Sequence, residues 1–340
     1  MRQVPGRQTW RRMGQRDPRV VGLLRSASER FSIAVHGCDH AAAEYSSTDG
    51  AWLEGTSSCA LDRMEQHKRR TGMPFDNVMV FPQGRFSIEA ISALKNCGFA
   101  AAVNTTLWAV DWPKDPLSLR DFLDVAVTRY ERFPIFLRYH SWDSCGYAFY
   151  ALFQKPVLVE AHHQFFQDGF GQLEALAQNV ARIAPAPKWM PLGSAILSSH
   201  LIRRNSGGQW SLRHYFPEFR HRNLTASDLA FAVEKPESDD CVEAVLVDGK
   251  PIPFEVQSGW LRYAAALGAG QEVTAKIVYR AHSPRPRKSL WRYRLVVSSR
   301  RFLSNLRDNY LVRNKRILHV AEALLKKHRS GPIQDNPRKP

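Results

Sequence analysis

The sequence lacks the features of a disulfide-stabilised or membrane-spanning protein. Its five cysteines are scattered, odd in number and without a CxxC pair, which argues against a disulfide framework and for a reducing compartment. No apolar run approaches the ~18 residues of a membrane span. A secretory signal has an apolar segment after its basic start, and the basic N-terminus of this chain is not followed by one. We therefore expect a cytoplasmic protein, either free or held peripherally at a membrane surface.

Acidic residues are scarce at both ends of the chain. Residues 280–340 hold 17 Lys and Arg against 3 acids, and residues 1–25 hold 7 against 1. The net charge of +16 therefore belongs to the two ends, and residues 26–279 carry a net charge of −4. A mildly acidic body is not typical of a nucleic-acid-binding fold, so we expect no specific nucleic-acid partner.

Strand-like and helical patterns alternate over residues 26–194. Hydrophobic residues make up 44% of the 340 residues, which suits two domains with an appendage. Runs such as FSIAVH and NVMVFP are typical of strands, and CALDRMEQHKRRTG and SIEAISALKNCGF are typical of helices. Gly72 lies just past the end of the first helix, and Ser87 is an N-cap for the second. This alternation predicts an α/β fold with a parallel sheet.

The pattern changes after residue 194. Residues 195–280 contain short alternating runs such as LAFAVE and EVTAKIVYR, separated by turn signals, and predict a small antiparallel β domain that resembles a sandwich. Residues 281–340 predict a basic helical tail, and residues 1–25 a basic leader. Within the tail, 292–329 interleaves arginines with aromatic residues. It either lies on an anionic membrane surface, binds a polyanion, or packs on its own domain with its arginines in solvent.

Two histidines follow the strand FSIAV directly, in the segment HGCDH. His36 and His40 are four residues apart, and two neutral imidazoles at that spacing can hold one Zn²⁺ if a turn brings them together. The position favours such a site because ligands bind beyond the carboxyl ends of parallel strands. Gly37 allows the chain to turn there. In the alternative interpretation, one histidine ends the strand and the other is exposed.

The strand PVLVE is also followed by histidines, His162 and His163. A histidine in this position over a metal can act as a general acid, and the alternative is a structural pair. The loop VFPQGRFS, shaped by Pro82 and Gly84, is predicted at the same face. Within it, Arg85 is a candidate for binding a substrate carboxylate or hydroxyl, although such an arginine is often only a solvated loop residue.

Taken together, these segments resemble the polysaccharide deacetylases of the NodB-homology type. HGCDH, VFPQGRFS with ALKNCGFAAAVN, and PVLVEAHH occur in the order and approximate spacing of that family, over residues 20–195. The resemblance implies an incomplete, distorted (β/α) barrel, followed by the small antiparallel β domain and the basic helical region. It also implies that His36 and His40 hold a divalent metal, with zinc the expected ion. His162 or His163 would protonate the amine that leaves when an acetyl group is removed from an N-acetylated sugar polymer or a lipid-linked sugar.

The chain departs from this family in its first motif. That motif is a strand-end pair of aspartates, one a general base and the other a metal ligand, and it should lie well upstream of His36. The residues before His36 contain only Asp17 ahead of the segment RVVGLLRSASER. In addition, Gly37 stands where the family usually has Ser or Thr. Phe81 stands where the family usually has Arg.

Three explanations remain open: a chain shortened at its N-terminus, a degenerate homologue, or a different family. We expect the first, because a barrel that lacks a strand leaves an exposed edge and an open core. The competing functional hypothesis is a non-catalytic carbohydrate-binding or polysaccharide-assembly protein built on a degenerate barrel.

Overall fold

The computed structural model describes residues 18–41, 43–111, 118–166, 169–184, 186–238, 241–280, 295–299 and 302–303. Those up to residue 280 belong to one compact unit, and those from residue 295 onward, which are helical, belong to a second. Most of the predicted leader and of the 292–329 region therefore lies outside the described residues. No helix among the described residues is long and apolar enough to cross a membrane.

The first part of the chain alternates helices with short strands, as the sequence predicts. Its elements, in chain order, are α1 (Pro18–Ser26), β1 (Ala34–Val35), α2 (Gly50–Thr71), β2 (Asp76–Val80), α3 (Ile88–Asn96), β3 (Ala101–Asn104), α4 (Leu119–Leu123), β4 (Ile135–Leu137), β5 (Tyr139–His140), α5 (Ser144–Leu152), β6 (Val159–Glu160), α6 (Gly171–Ile183) and α7 (Leu192–Leu197). Strands β1 to β4 form a parallel sheet in that order, and β5 pairs with β6 in parallel. Within the described part of the chain, these two sheets do not close into a barrel.

Helix boundaries follow local capping groups. The Asp49 carboxylate accepts a hydrogen bond from the Trp52 N–H at 3.0 Å and begins α2, nine residues before the helical pattern in the sequence becomes clear. At the other end, Gly72 takes a left-handed conformation with φ 70° and donates its N–H to the Lys68 carbonyl. Ser87 caps α3 by accepting from the Ala90 N–H at 3.1 Å, which confirms the predicted N-cap.

Both faces of the parallel sheet are buried, which explains its nearly continuous apolar strands. On one face, Met79 and Ala102 pack with residues of α2 and α3, including Leu53 and Leu94. On the opposite face, Val78, Val103 and Phe136 of the sheet pack with Ile196 of α7 and with Phe216, which precedes β9. The carboxyl ends of β2, β3 and β4 therefore lie at one edge of a well-packed sheet.

The second part consists of strands: β7 (Leu201–Arg204), β8 (Trp210–Arg213), β9 (Glu218–Arg222), β10 (Leu229–Pro236), β11 (Val242–Val247), β12 (Lys250–Ile252), β13 (Phe254–Gln257), β14 (Trp260–Leu267) and β15 (Glu272–Tyr279). They form two sheets, in the orders β13-β14-β10-β8-β7 and β12-β11-β15-β9. Residues of both sheets share one apolar core, including Phe231, Val245 and Ile277. The sequence predicts antiparallel pairing throughout this part. The structure differs, because β8 pairs with β10 in parallel.

Candidate metal and substrate site

The segment that carries His36 and His40 is a tight loop held by Glu44. The Glu44 carboxylate is buried and accepts hydrogen bonds from the backbone N–H groups of Cys38, Asp39 and His40 at 3.2, 2.8 and 3.2 Å. Desolvation raises the pKa of Glu44, although these donors favour its charged form. Glu44 therefore fixes the path of the chain between the two histidines.

Gly37 is required by this loop geometry. It has a φ of +73°, in the left-handed region that favours glycine. A Cβ at this position would lie 2.5 Å from Cγ of Pro82 and 2.6 Å from Oε2 of Glu44. The departure from Ser or Thr at this position thus has a local steric explanation: the proline loop packs directly against the histidine loop.

The loop brings the two predicted ligands together. The rings of His36 and His40 have their centroids 5.0 Å apart. The Nδ1–H of His36 donates to the carbonyl oxygen of Val80, the last residue of β2, at 2.8 Å. This bond fixes the tautomer and leaves Nε2 with its lone pair, as in histidines that bind metals. Although part of the ring is exposed, desolvation lowers the pKa of His36 and favours the neutral, ligating form.

His162 lies on the same rim. It follows β6 by two residues, is exposed, and is close enough for its charge to contribute to the lowered pKa of His36. His163 begins a single 3₁₀ turn, 163–166, and its side chain is outside the described residues. Arg85 is exposed, directly after the 3₁₀ turn Pro82–Gly84.

A buried carboxylate that the sequence analysis did not single out lies beside these histidines. Glu160, at the end of β6, is 8% exposed. Its Oε2 lies 3.0 Å from Nε of Arg138, and its Oε1 pairs with Nδ1 of His140. The positive charge of Arg138 contributes to the lowered pKa of His36, so this group adjoins the histidine loop. The ring of the 76% exposed Trp142 stacks on His140 with centroids 4.4 Å apart.

Asp39 is not available to the two histidines. It is buried, and its Oδ1 lies 2.8 Å from Nη1 of Arg63 on α2. In the described part of the chain, one group of three side chains has its potential metal-binding atoms within 4.8 Å of one another. It consists of Cys38, Asp39 and Glu44. Since Glu44 is occupied by backbone donors and Asp39 by Arg63, we interpret that cluster as support for the loop.

Comparisons with known proteins do not identify a family. No protein-family model matches the chain, and no curated protein matches it. Among solved structures, the catalytic domain of GH30 xylanase C from Talaromyces cellulolyticus is 10% identical over 67% of each chain, with a TM-score of 0.20. A TM-score of that size is typical of unrelated structures, so this similarity identifies neither the fold nor the activity of the chain.

Proposed function

We propose that the protein is a metal-dependent hydrolase that resembles polysaccharide deacetylases and removes acetyl groups from an N-acetylated sugar polymer or a lipid-linked sugar. The observation that carries the proposal is the His36–Val80 hydrogen bond, which leaves Nε2 of His36 with its lone pair at a strand end, in a ring whose centroid lies 5.0 Å from that of His40. Two neutral imidazoles are donors that suit zinc among the divalent metals. A metal held there would polarise the acetyl carbonyl and acidify a water molecule.

The residues of this chain would then have separate roles. His36 and His40 would hold the metal, and Glu44 would keep their loop in place. His162, exposed on the same rim, would carry the proton that the leaving amine takes up. Arg85, in the adjoining loop, would bind a substrate hydroxyl or carboxylate. Glu160 would orient His140, whose stacked partner Trp142 offers an exposed aromatic face to a sugar ring.

Metal content and acetate release test the proposal together. We expect the purified protein to hold about one zinc or other divalent ion, and a His36→Ala/His40→Ala variant to lose it. A matched control is His200→Ala/His221→Ala, because that second histidine pair has its ring centroids 5.1 Å apart and Nδ1 of His200 is likewise bonded to a carbonyl, that of Ser198. Acetate release from N-acetylglucosamine oligomers should follow the metal. An equal metal content per chain in the two double variants would refute the site at His36 and His40.

The second candidate function is carbohydrate binding without catalysis. The observation that favours it is the exposed Trp142, which can stack on a sugar whether or not a metal is held. Binding of the same oligomers without acetate release, in protein loaded with zinc, would support this alternative. A Trp142→Ala variant should then lose binding.

A further inference from the structure

An open cleft of about 520 Å³ lies on the sheet β13-β14-β10-β8-β7 of the β part, within the size range of small-molecule sites. Ala232 and Glu234 of β10 and Arg262 of β14 line it. The residues that alternate with them along the strands, such as Val233 and Tyr263, are buried in the core between the two sheets. Because successive side chains of a strand point to opposite faces, the cleft belongs to the outer face of this sheet.

The shape of the cleft follows from the register of the strands. Ser211 on β8 lies opposite Ala232 on β10, and these two small side chains form one row across the sheet. In the next row, Glu234 lies opposite Arg262, which in turn lies opposite Glu255 on the edge strand β13. The short side chains form a floor beside the row of long ones. The cleft therefore runs across the strands and suits an extended ligand.

Groups of both charges line the cleft. Nε and Nη2 of Arg213 lie 2.8 and 2.6 Å from Oε1 of Glu234, so this carboxylate is engaged. Arg262 and Glu255 are both exposed, and within the described residues their side chains form no hydrogen bond or ion pair. A charged ligand of either sign would meet a like charge here, whereas hydroxyl groups can accept from the guanidinium and donate to the carboxylate. The lining thus favours a neutral ligand that is rich in hydroxyl groups.

An exposed aromatic ring completes the lining. Phe254, the first residue of β13, lines the cleft and is 36% exposed. Within the described part of the chain, its ring makes no contact with another aromatic ring or with a cation. A sugar ring has an apolar face and a rim of hydroxyl groups. It can therefore pack on Phe254 while its hydroxyl groups reach Arg262 and Glu255.

We propose that this cleft binds a segment of a neutral oligosaccharide. Arg262 donates hydrogen bonds to the sugar hydroxyl groups, Glu255 accepts from them, and Phe254 packs against the apolar face of one ring. The site is separate from the histidine pair and from Trp142, so it holds a sugar chain whether or not the protein is a hydrolase. Only the choice of an N-acetylated chain rests on the proposed function.

Calorimetric titration of the full-length Trp142→Ala variant, freed of metal with EDTA, tests the proposal. The substitution removes the other exposed aromatic face that could take a sugar, and the metal-free protein cannot turn over the probe. The probes are the hexamers of N-acetylglucosamine, glucose and galacturonic acid. We expect one N-acetylglucosamine hexamer per chain, bound at least tenfold more tightly than the anionic galacturonic acid hexamer. Binding of the glucose hexamer alone would support the cleft as a sugar site and contradict its part in binding an N-acetylated substrate.

Two further substitutions test the named contacts. Arg262→Met and Glu255→Met should each weaken the N-acetylglucosamine hexamer at least tenfold, because hydrogen bonds to charged groups are the strong ones. Lys276→Met and Glu243→Met are the charge-matched controls. Both side chains are exposed on strands of the opposite sheet, and their loss should leave the affinity within about twofold.

Three results would overturn the proposal. Failure of both neutral hexamers to bind would remove the sugar as the ligand. Tighter binding of the galacturonic acid hexamer would make the cleft a site for anions. An unchanged affinity in both Arg262→Met and Glu255→Met would place the bound sugar elsewhere.

A measurement on the metal-free wild-type protein decides the matter if these variants fail to fold. We expect the N-acetylglucosamine hexamer to protect Arg262 from modification by phenylglyoxal, as read by peptide mass spectrometry. Arg222, exposed on β9 in the opposite sheet, should react equally with and without the hexamer. Modification of Arg262 at the same rate in both conditions would exclude this residue from the site and refute the proposal.

Discussion

Nζ of Lys95 on α3 lies 3.0 Å from the carboxylate of Glu237, directly after β10, and this ion pair joins the α/β part to the β part. Glu237 is 1% exposed and also pairs with Lys235. In addition it accepts a hydrogen bond from the Tyr279 hydroxyl at 2.7 Å. A buried carboxylate with two ammonium partners is costly to disturb, because removing it leaves uncompensated charges in the interior.

Glu237→Gln should therefore destabilise the fold strongly. We expect a loss of about 3–5 kcal/mol in the free energy of unfolding, measured by urea denaturation. The control is Glu218→Gln, which breaks an exposed pair with Arg220. That change should cost less than about 1 kcal/mol. Similar losses in the two variants would mean that the buried cluster stabilises the fold no more than an exposed ion pair does.

Gly37→Ala should disrupt the histidine loop. The added Cβ would meet Pro82 and Glu44 at 2.5 and 2.6 Å, in addition to the strain of a positive φ. Gly249→Ala is the matched control, because Gly249 has a φ of +77° with no heavy atom within 4 Å of the added Cβ. We expect Gly249→Ala to cost about 1–2 kcal/mol and Gly37→Ala to cost more and to lose metal as well. If the two variants behave alike, the close packing around Gly37 has no energetic effect.

Glu160→Gln tests the role of the buried carboxylate beside the histidines. The change preserves shape but removes the charge that pairs with Arg138 and His140. If Glu160 orients His140 in the proposed reaction, acetate release should fall at least tenfold while metal content stays the same. The exposed Glu174→Gln on α6 serves as control and should retain full activity. A parallel loss of metal in Glu160→Gln would instead assign Glu160 to the metal site.

The stability of the fold should fall in mild acid because of His214. Its Nε2 accepts from the Tyr263 hydroxyl at 2.8 Å, its Nδ1 donates to the Phe216 carbonyl, and burial lowers its pKa to about 3, assisted by the charge of Lys235. In the unfolded state, His214 takes up a proton near pH 6.5. The stability that the neutral, buried His214 contributes is therefore fully present above that pH, and it decreases as the pH falls towards 3. At pH 4.5 the loss from His214 should be about 2–3 kcal/mol.

The contribution of His214 can be isolated by a difference measurement. The pKa values of His36, His200 and His221 are also lowered by desolvation, so these groups contribute in the same direction. His214→Gln should flatten the profile of unfolding free energy between pH 7 and 4.5 relative to wild type. Tyr263→Phe should keep the slope, because it retains the buried imidazole. An unchanged slope in His214→Gln would contradict the assignment.

Features with a local cause could be predicted from the sequence. Helix α3 was predictable because Ser87 stands directly before an apolar repeat, and the strand before His36 because FSIAV is short and apolar. The first nine residues of α2 were not, because two glycines, Gly50 and Gly55, and the polar run of one threonine and two serines at 56–58 hide the helical pattern. There the decisive signal was the Asp49 cap.

The central parts of the candidate site depend on contacts that leave no periodic pattern. Glu44 acts on backbone N–H groups four to six residues away inside an irregular loop, and any residue type offers such donors. Glu160 meets Arg138 and His140, which lie about twenty residues upstream, His140 on β5 and Arg138 directly before that strand. Only the pairing of β5 with β6 brings them together, and the sequence showed β6 merely as the end of an apolar run.

The order of strands in the β part has a consequence for how the chain folds. The polypeptide passes from one sheet to the other five times between β8 and β15. Neither sheet can therefore be completed by a contiguous segment, and the chain that connects the parallel partners β8 and β10 includes β9, which belongs to the opposite layer. Such non-local pairing places folding on the order of milliseconds to seconds. Both layers should consequently assemble in one cooperative step, and their central amides should become protected from hydrogen exchange at the same time.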